Sequence, residues 1–201
     1  MVRRLQIEPG AYFVVAAGLL LLPLRFVLAM AAAAAVHECS HYFAAKIIGI
    51  RVYSLRINAK GCLLDMEPMS RKQELICAAA GPVGSLLLLG LIRQLPLLAL
   101  CGAVQGLYNL LPLYPLDGGR ILYCTASYLS GEENAAQILQ WSGRTVLFLL
   151  LLAGSYLAIR MKWGIVPVVL CVFWWLRIRK AKNTLQTGET RGTIELPFSK
   201  R

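Results

Sequence analysis

The sequence predicts an all-α polytopic membrane protein of about six transmembrane helices, with a small β-hairpin on the cytosolic side. Three observations carry that expectation. Apolar residues make up 58% of the 201 residues, charged residues only 15%, and the mean hydropathy is +0.61. A soluble domain of this length could not hide that much apolar surface in a core. The apolar residues also come in runs long enough to span a bilayer, which takes about 20 residues per helix. Between two of those runs lies a polar stretch with a period of two rather than 3.6.

The first run extends from about Ala11 to Ile50, interrupted only by Pro23 and Arg25, and is expected to form two spans with a tight connection. A signal peptide beginning at Arg3 and Arg4 is the alternative, but no convincing small-residue cleavage site precedes the next apolar stretch. Arg51–Lys72 follows. Here Val52, Ser54 and Arg56 alternate with Tyr53, Leu55 and Ile57, Asn58–Gly61 offers a turn, and Cys62–Met66 returns, which predicts the hairpin. Further spans are expected at Glu74–Ile92, Leu95–Leu116, Thr145–Ile159 and Trp163–Leu176. Trp141, Trp163, Trp174 and Trp175 fall near span ends, as interfacial aromatics do. Residues 1–176 are thus expected to form one membrane domain and 177–201 a short basic cytosolic tail.

The net charge of +11 does not point to nucleic acid, because the basic residues form no cluster interleaved with aromatics. Topology explains them better. With both termini in the cytosol, only Arg25, Arg93, Arg160 and Lys162 of the 21 basic residues lie outside, in keeping with the positive-inside rule. The six cysteines, Cys39, Cys62, Cys77, Cys101, Cys124 and Cys171, show no CxxC spacing and are expected to pack as small apolar residues.

The chemistry-bearing residues begin in the second span with His37-Glu38-Cys39-Ser40-His41. On a helix, residues four apart share a face, so two imidazoles can grip one zinc ion while Glu38 stands beside it. Glu38 can then take a proton from a water acidified by the metal. These are the only two histidines in the chain. The bland alternative, a few polar residues at an interface, fits poorly with the cost of ionisable groups at membrane depth. Cys39 lies about 200° round the helix from His37 and should face away.

A catalytic zinc site takes three protein ligands and keeps one position open. The best candidate for the third is Asp117, in a segment running Asn109-Leu110-Leu111-Pro112-Leu113-Tyr114-Pro115-Leu116-Asp117-Gly118-Gly119-Arg120. Spacing alone leaves this reading close to even with an ordinary Asp-Gly turn.

At this point His37-Glu38-x-x-His41 and Asn109-x-x-Pro112-x-x-Pro115-x-Asp117-Gly118 together resemble the site-2 protease family. The six-span pattern is most similar to its bacterial sporulation type, which processes a sigma-factor precursor. The resemblance covers roughly residues 11–176 and implies one Zn2+ per chain on His37, His41 and Asp117, Glu38 as general base, and Asn109 holding the substrate strand. For Asn109, a helix-to-helix hydrogen bond within the bundle is a fair competitor. The resemblance further implies an intramembrane metalloendopeptidase in a bacterial cell membrane. Its partners would be a membrane-embedded or membrane-tethered protein substrate, the lipid bilayer and a regulatory membrane protein.

Ala80-Gly81-Pro82 in the third span also resembles a family feature, beside the simpler reading of a packing kink. Two departures stand out. Ser40 occupies a place where the family often has glycine, and Val83-Gly84-Ser85 follows Gly-Pro where the family commonly has asparagine, which puts a polar role there in doubt. No inserted PDZ domain fits between the motifs. The nucleotide-sensing C-terminal domain of many sporulation-type members is also missing, so regulation by ATP through it is not expected. Rival readings are a metal-binding scaffold, a divalent-ion carrier, and a pseudoprotease that binds membrane segments without cutting. The polar metal-binding groups stand at one depth with no internal repeat, which argues against a carrier, and Glu38 argues against a pseudoprotease.

Overall fold

A computed structural model describes residues 4–58 and 61–161. These fall into two compact units that divide after Leu110.

In the first unit, β1 (Arg4–Ile7) leads into α1 (Pro9–Leu21) and α2 (Leu24–Ile47), with Pro23 between the two helices. Proline at that junction lacks an N–H and cannot continue the preceding helix, which divides the long apolar run in two as expected. At its far end α2 stops at Gly49, whose φ of 80° is the left-handed conformation that glycine adopts most cheaply. There Ile50 N–H donates to the Ala45 carbonyl (2.8 Å) and Gly49 N–H to the Lys46 carbonyl (3.2 Å), a Schellman stop.

The chain then forms β2 (Val52–Asn58) and β3 (Gly61–Met66), the antiparallel hairpin expected from the alternation. Its register jumps from Val52 opposite Met66 to Ser54 opposite Asp65, so Tyr53 is the extra residue of a bulge. The sequence reading missed β1, which pairs parallel to β2, so the sheet order is β1-β2-β3. Four residues at a chain start carry too little alternation to be recognised, and the pairing with Ser54–Ile57 is what makes them a strand.

Next comes α3 (Arg71–Leu87), opened by a capping box in which Gln73 N–H donates to Ser70 Oγ and Ser70 N–H to Gln73 Oε1 (3.0 Å). It runs through Pro82 into a 3-10 turn (Leu88–Leu91), matching the expected third span. Then α4 (Pro96–Asn109) packs on α3 through Gly102 and Gly106. A Cβ on Gly102 would stand 2.8 Å from the Ser85 carbonyl oxygen, and one on Gly106 would stand 3.2 Å from that of Pro82. The expected fourth span reached Leu116, but helix ends at Asn109. Pro112 and Pro115 remove backbone donors and clash with a preceding turn, so residues 110–116 are irregular.

The second unit opens with that irregular stretch. It includes a cis Tyr114–Pro115 bond and continues into α5 (Asp117–Ser130), which the sequence reading did not anticipate as a separate helix. Last comes α6 (Glu132–Met161), 30 residues long, where a span was expected only from Thr145. Its first two turns are polar on one side, but Ala135 and Ala136 pack with Tyr123 and Ala126, and that tertiary contact extends the helix. A second cluster joins Leu113, Leu116 and Leu147. The expected last span, Trp163–Leu176, and the tail lie outside the described residues.

Among the described residues, two helical stretches are able to cross a membrane by length and composition, Arg71–Leu91 and Glu132–Tyr156. Large side chains along α1 and α6 point outward: Leu20 is 87% and Phe13 76% exposed, and Trp141 and Phe148 are likewise exposed. Apolar surface of that extent is what lipid covers. The described chain is mostly helical with one small sheet.

Candidate metal centre

The two histidines lie on the buried face of α2, with His37 3% and His41 6% exposed. Their rings meet edge to face at 86°, and the two Nε2 atoms stand 3.2 Å apart. Each outer nitrogen is held from α3. His37 Nδ1 is 2.9 Å from Ser85 Oγ, and His41 Nδ1 donates to the Cys77 carbonyl oxygen at 2.8 Å. A carbonyl only accepts, so His41 carries its proton on Nδ1 and presents the Nε2 lone pair inward. The Ser85 hydroxyl can accept likewise from His37.

This arrangement fits zinc. Two imidazole nitrogens on one tetrahedral zinc stand about 3.3 Å apart, given Zn–N distances near 2.0–2.1 Å, and the pair is already at 3.2 Å. Ligating imidazoles typically donate their other N–H to a carbonyl or similar group, as His41 does here.

Glycine makes the pair possible. A Cβ on Gly81 would lie 2.2 Å from His41 Nε2 and 2.8 Å from His37 Cε1, so any side chain there would occupy the space of the imidazoles. Gly81 is thus required for close approach, and α3 continues through Pro82 as helix. The departure at Ser40 is explained in the same way. Its hydroxyl donates to the Val36 carbonyl (2.8 Å) and lies where a Cβ on Gly84 would be, so the small residue facing α2 has moved to α3. Ser85 is the residue the sequence reading undervalued. Buried and aimed at His37, it has the polar role that had been in doubt. Its spacing was a usable signal, because Ser85 lies four residues after Gly81 and so comes round, within about 40°, to the same face of α3.

Glu38 is half-buried, one residue round the helix from His37. Cys39 faces away from His37 as its offset predicts, but it is exposed, not packed as expected, because its side of α2 meets no other described element. Cys77 is buried and also brings its thiol to 3.8 Å from the His41 carbonyl oxygen.

In the second unit Asp117 is the first residue of α5 and is 7% exposed. Free backbone N–H groups at a helix start favour a carboxylate there. Arg120 Nη1 lies 3.6 Å from Asp117 Oδ1. The irregular segment presses closely on this turn: a Cβ on Gly119 would come within 2.6 Å of the Leu113 carbonyl carbon and oxygen. The Asp-Gly-Gly run is therefore needed for close packing against Leu113. Asn109 closes α4, half-buried, and donates its amide to the Gln105 carbonyl one turn back (3.1 Å), a bond within its own helix.

Away from the histidines, the hairpin carries an ion pair. Arg56 and Ser54 both donate to Asp65. Burial pushes the Asp65 carboxyl up, but the bonds from Arg56 and Ser54 outweigh it and hold the group below the usual carboxylate range. Arg56 is raised by the same partner.

A buried histidine pair with this spacing, among helices whose outward faces are apolar, is an arrangement able to hold a zinc ion. By comparison, residues 67–153 match Peptidase family M50. The matched stretch includes Asn109 and Asp117, while the histidine pair precedes it. Over 133 residues the chain is 29% identical to Zinc metalloprotease MJ0392 of Methanocaldococcus jannaschii, covering 59% of this chain and 39% of that one. Over 119 residues it is 34% identical to a Synechocystis protein provisionally named zinc metalloprotease sll0528, covering 51% and 31%. The chain thus spans well under half the length of these relatives. Its fold is that of the Site-2 Protease from Methanocaldococcus jannaschii, with a TM-score of 0.61 at 20% identity over 88% of this chain and 89% of that one. None of these relatives is named for sporulation, and that subtype stays a resemblance.

Proposed function

We propose that this chain is an intramembrane zinc metalloendopeptidase that hydrolyses peptide bonds of membrane-embedded or membrane-tethered proteins. The observation that carries the reading is the pair of buried Nε2 atoms at 3.2 Å, oriented by Ser85 and Cys77 and cleared by Gly81. The family domain and the names of the relatives support it.

His37, His41 and Asp117 would hold the ion, two imidazoles and one carboxylate being a common donor set for catalytic zinc. Bound zinc supplies Lewis-acid polarisation of the scissile carbonyl and acidifies a water. Glu38 would accept a proton from the attacking water and pass it to the leaving amide nitrogen. The substrate must unwind, because a helix hides its amides in its own hydrogen bonds. The extended segment adds to the sheet as a strand, and β3 supports this as an edge strand among the described residues. With β1 already on the other side of β2, the hairpin has one such edge rather than two. Asn109 is proposed to turn from its Gln105 bond to hold that segment.

The same reading places the chain in a cell membrane with 1–176 as the membrane domain, about six spans in all, 177–201 as a basic tail, and both termini in the cytosol. A sigma-factor precursor is the substrate class that the sporulation resemblance suggests, and a regulatory membrane protein the partner.

The test is zinc content of detergent-purified chain, wild type beside Asp117→Asn, followed by cleavage of a membrane-tethered reporter. About one zinc per chain, sharply lower in the variant, is the expected result for a three-ligand site. Unchanged zinc in Asp117→Asn removes it from the ligand set. Zinc without cleavage points to the scaffold reading instead.

A further inference from the structure

Where α2 ends, a groove of 640 Å³ opens, lined among others by Tyr42, Lys46, Ile50, Arg51, Val52 and Tyr53. We infer that this groove seats the headgroup of an anionic phospholipid, with Lys46 and Arg51 taking the phosphate and the two tyrosines flanking it. The inference rests on the membrane placement in the proposed function, in which α2 is a span, and not on proteolysis.

Four features of the groove converge. First, the groove is built rather than incidental. The Schellman stop at Gly49 turns the chain back on itself, bringing Ile50–Tyr53 alongside Tyr42 and Lys46. That motif also gives the last carbonyls of α2 donors of their own, which blunts the negative end of the helix where an anion would otherwise be repelled. Second, both cations are uncommitted: among the described residues neither Lys46 nor Arg51 has an acidic side chain within ion-pair distance. The nearby hairpin arginine, Arg56, is by contrast committed to Asp65. Third, the bulge makes Tyr53 the extra residue of β2, and bulges re-aim side chains where function needs them. Fourth, the lining is mixed in the way an interface demands. Ile50 and Val52 suit acyl carbons near a headgroup, while tyrosines prefer the boundary of lipid and water. Basic pockets at the ends of membrane helices are a recognised setting for phospholipid headgroups. A soluble phosphate would use the cations equally but would gain nothing from the apolar lining or from its place at a span end.

The experiment uses the full chain purified in detergent micelles, titrated separately with dioleoylphosphatidylglycerol and dioleoylphosphatidylcholine and read by native mass spectrometry. Wild type should bind the anionic lipid about thirtyfold more tightly, the order expected for two cations near a lipid surface. The double variant Lys46→Gln, Arg51→Gln should lose that preference, whereas the conservative pair Lys46→Arg, Arg51→Lys and the distant control Arg93→Gln should keep it. Equal affinity for both lipids in wild type, or preference retained in the glutamine pair, overturns the inference. So does glycerol phosphate displacing the lipid at matched concentration, which would make the site one for soluble anions. Zinc content measured on the same samples separates the two conclusions, since loss of zinc counts against the protease reading and leaves lipid preference unaffected.

Discussion

The histidine pair and the aspartate turn are held by different physics. The imidazoles are oriented by hydrogen bonds from a neighbouring helix, one to a side chain and one to a backbone carbonyl, around a glycine that leaves them room. Asp117 instead owes its place to backbone, sitting at a helix start packed on an irregular proline-broken segment, with a long ion pair to Arg120 as its charged contact in the same turn. The first arrangement is tuned by side chains on α3. The second is set by the close fit of main chain against main chain. Substitutions around the histidines should therefore act on metal affinity, and those around Asp117 should act through packing.

The largest expected effect concerns Glu38, beside the histidine pair on α2. Glu38→Gln should keep zinc but slow cleavage of a membrane-tethered reporter by about 10²–10⁴-fold, the usual worth of a general base. Near-normal turnover would remove Glu38 from that role. Gly81→Ala comes next. A methyl 2.2 Å from His41 Nε2 must displace the ring or the helix, costing about 1–3 kcal/mol as overpacking does. Zinc content and thermal midpoint should fall together, and an unchanged midpoint with full zinc would show that the close approach is not required.

Ser85→Ala sharpens the comparison directly. Loss of a partner to a ligating histidine costs about 10–100-fold in metal affinity, measurable by competition with a chelator, and Ser85→Thr should restore part of it. At the aspartate, Arg120→Gln should change zinc affinity less than Ser85→Ala does, since the pair is long at 3.6 Å although both side chains are mostly buried. A larger change than that seen with Ser85→Ala would mean that side-chain charge, not backbone packing, governs the aspartate turn.

The smallest effect lies in the hairpin. Asp65 is held below the ordinary carboxylate range in the folded chain, with burial opposing and the bonds from Arg56 and Ser54 prevailing. Its contribution is therefore complete above the unfolded carboxyl value and disappears as pH falls through the lowered folded value. Amide exchange in β2 and β3 should accelerate on acidification into that range, and Asp65→Asn should flatten the dependence.

Much of the site was legible in the chain itself. Two histidines four apart must share a helical face, whatever surrounds them, because 3.6 residues make a turn. Apolar runs announce helices for lipid, and the alternation around Val52–Ile57 announces a strand, because both patterns are local. Pro112 and Pro115 were visible too, yet their consequence was underestimated: the expected span to Leu116 ended at Asn109.

Local periodicity and the four-residue spacing of the histidines were thus readable from the chain, since both follow from backbone geometry within a few residues. Tertiary structure alone decided that Ser85 reaches His37, that Gly84 makes room for Ser40, that β1 pairs beside β2, and that α6 begins at Glu132. Each depends on contact between residues far apart in the chain. Such contacts are set by which surfaces fit when the helices close on one another, and no short stretch of sequence contains that fit.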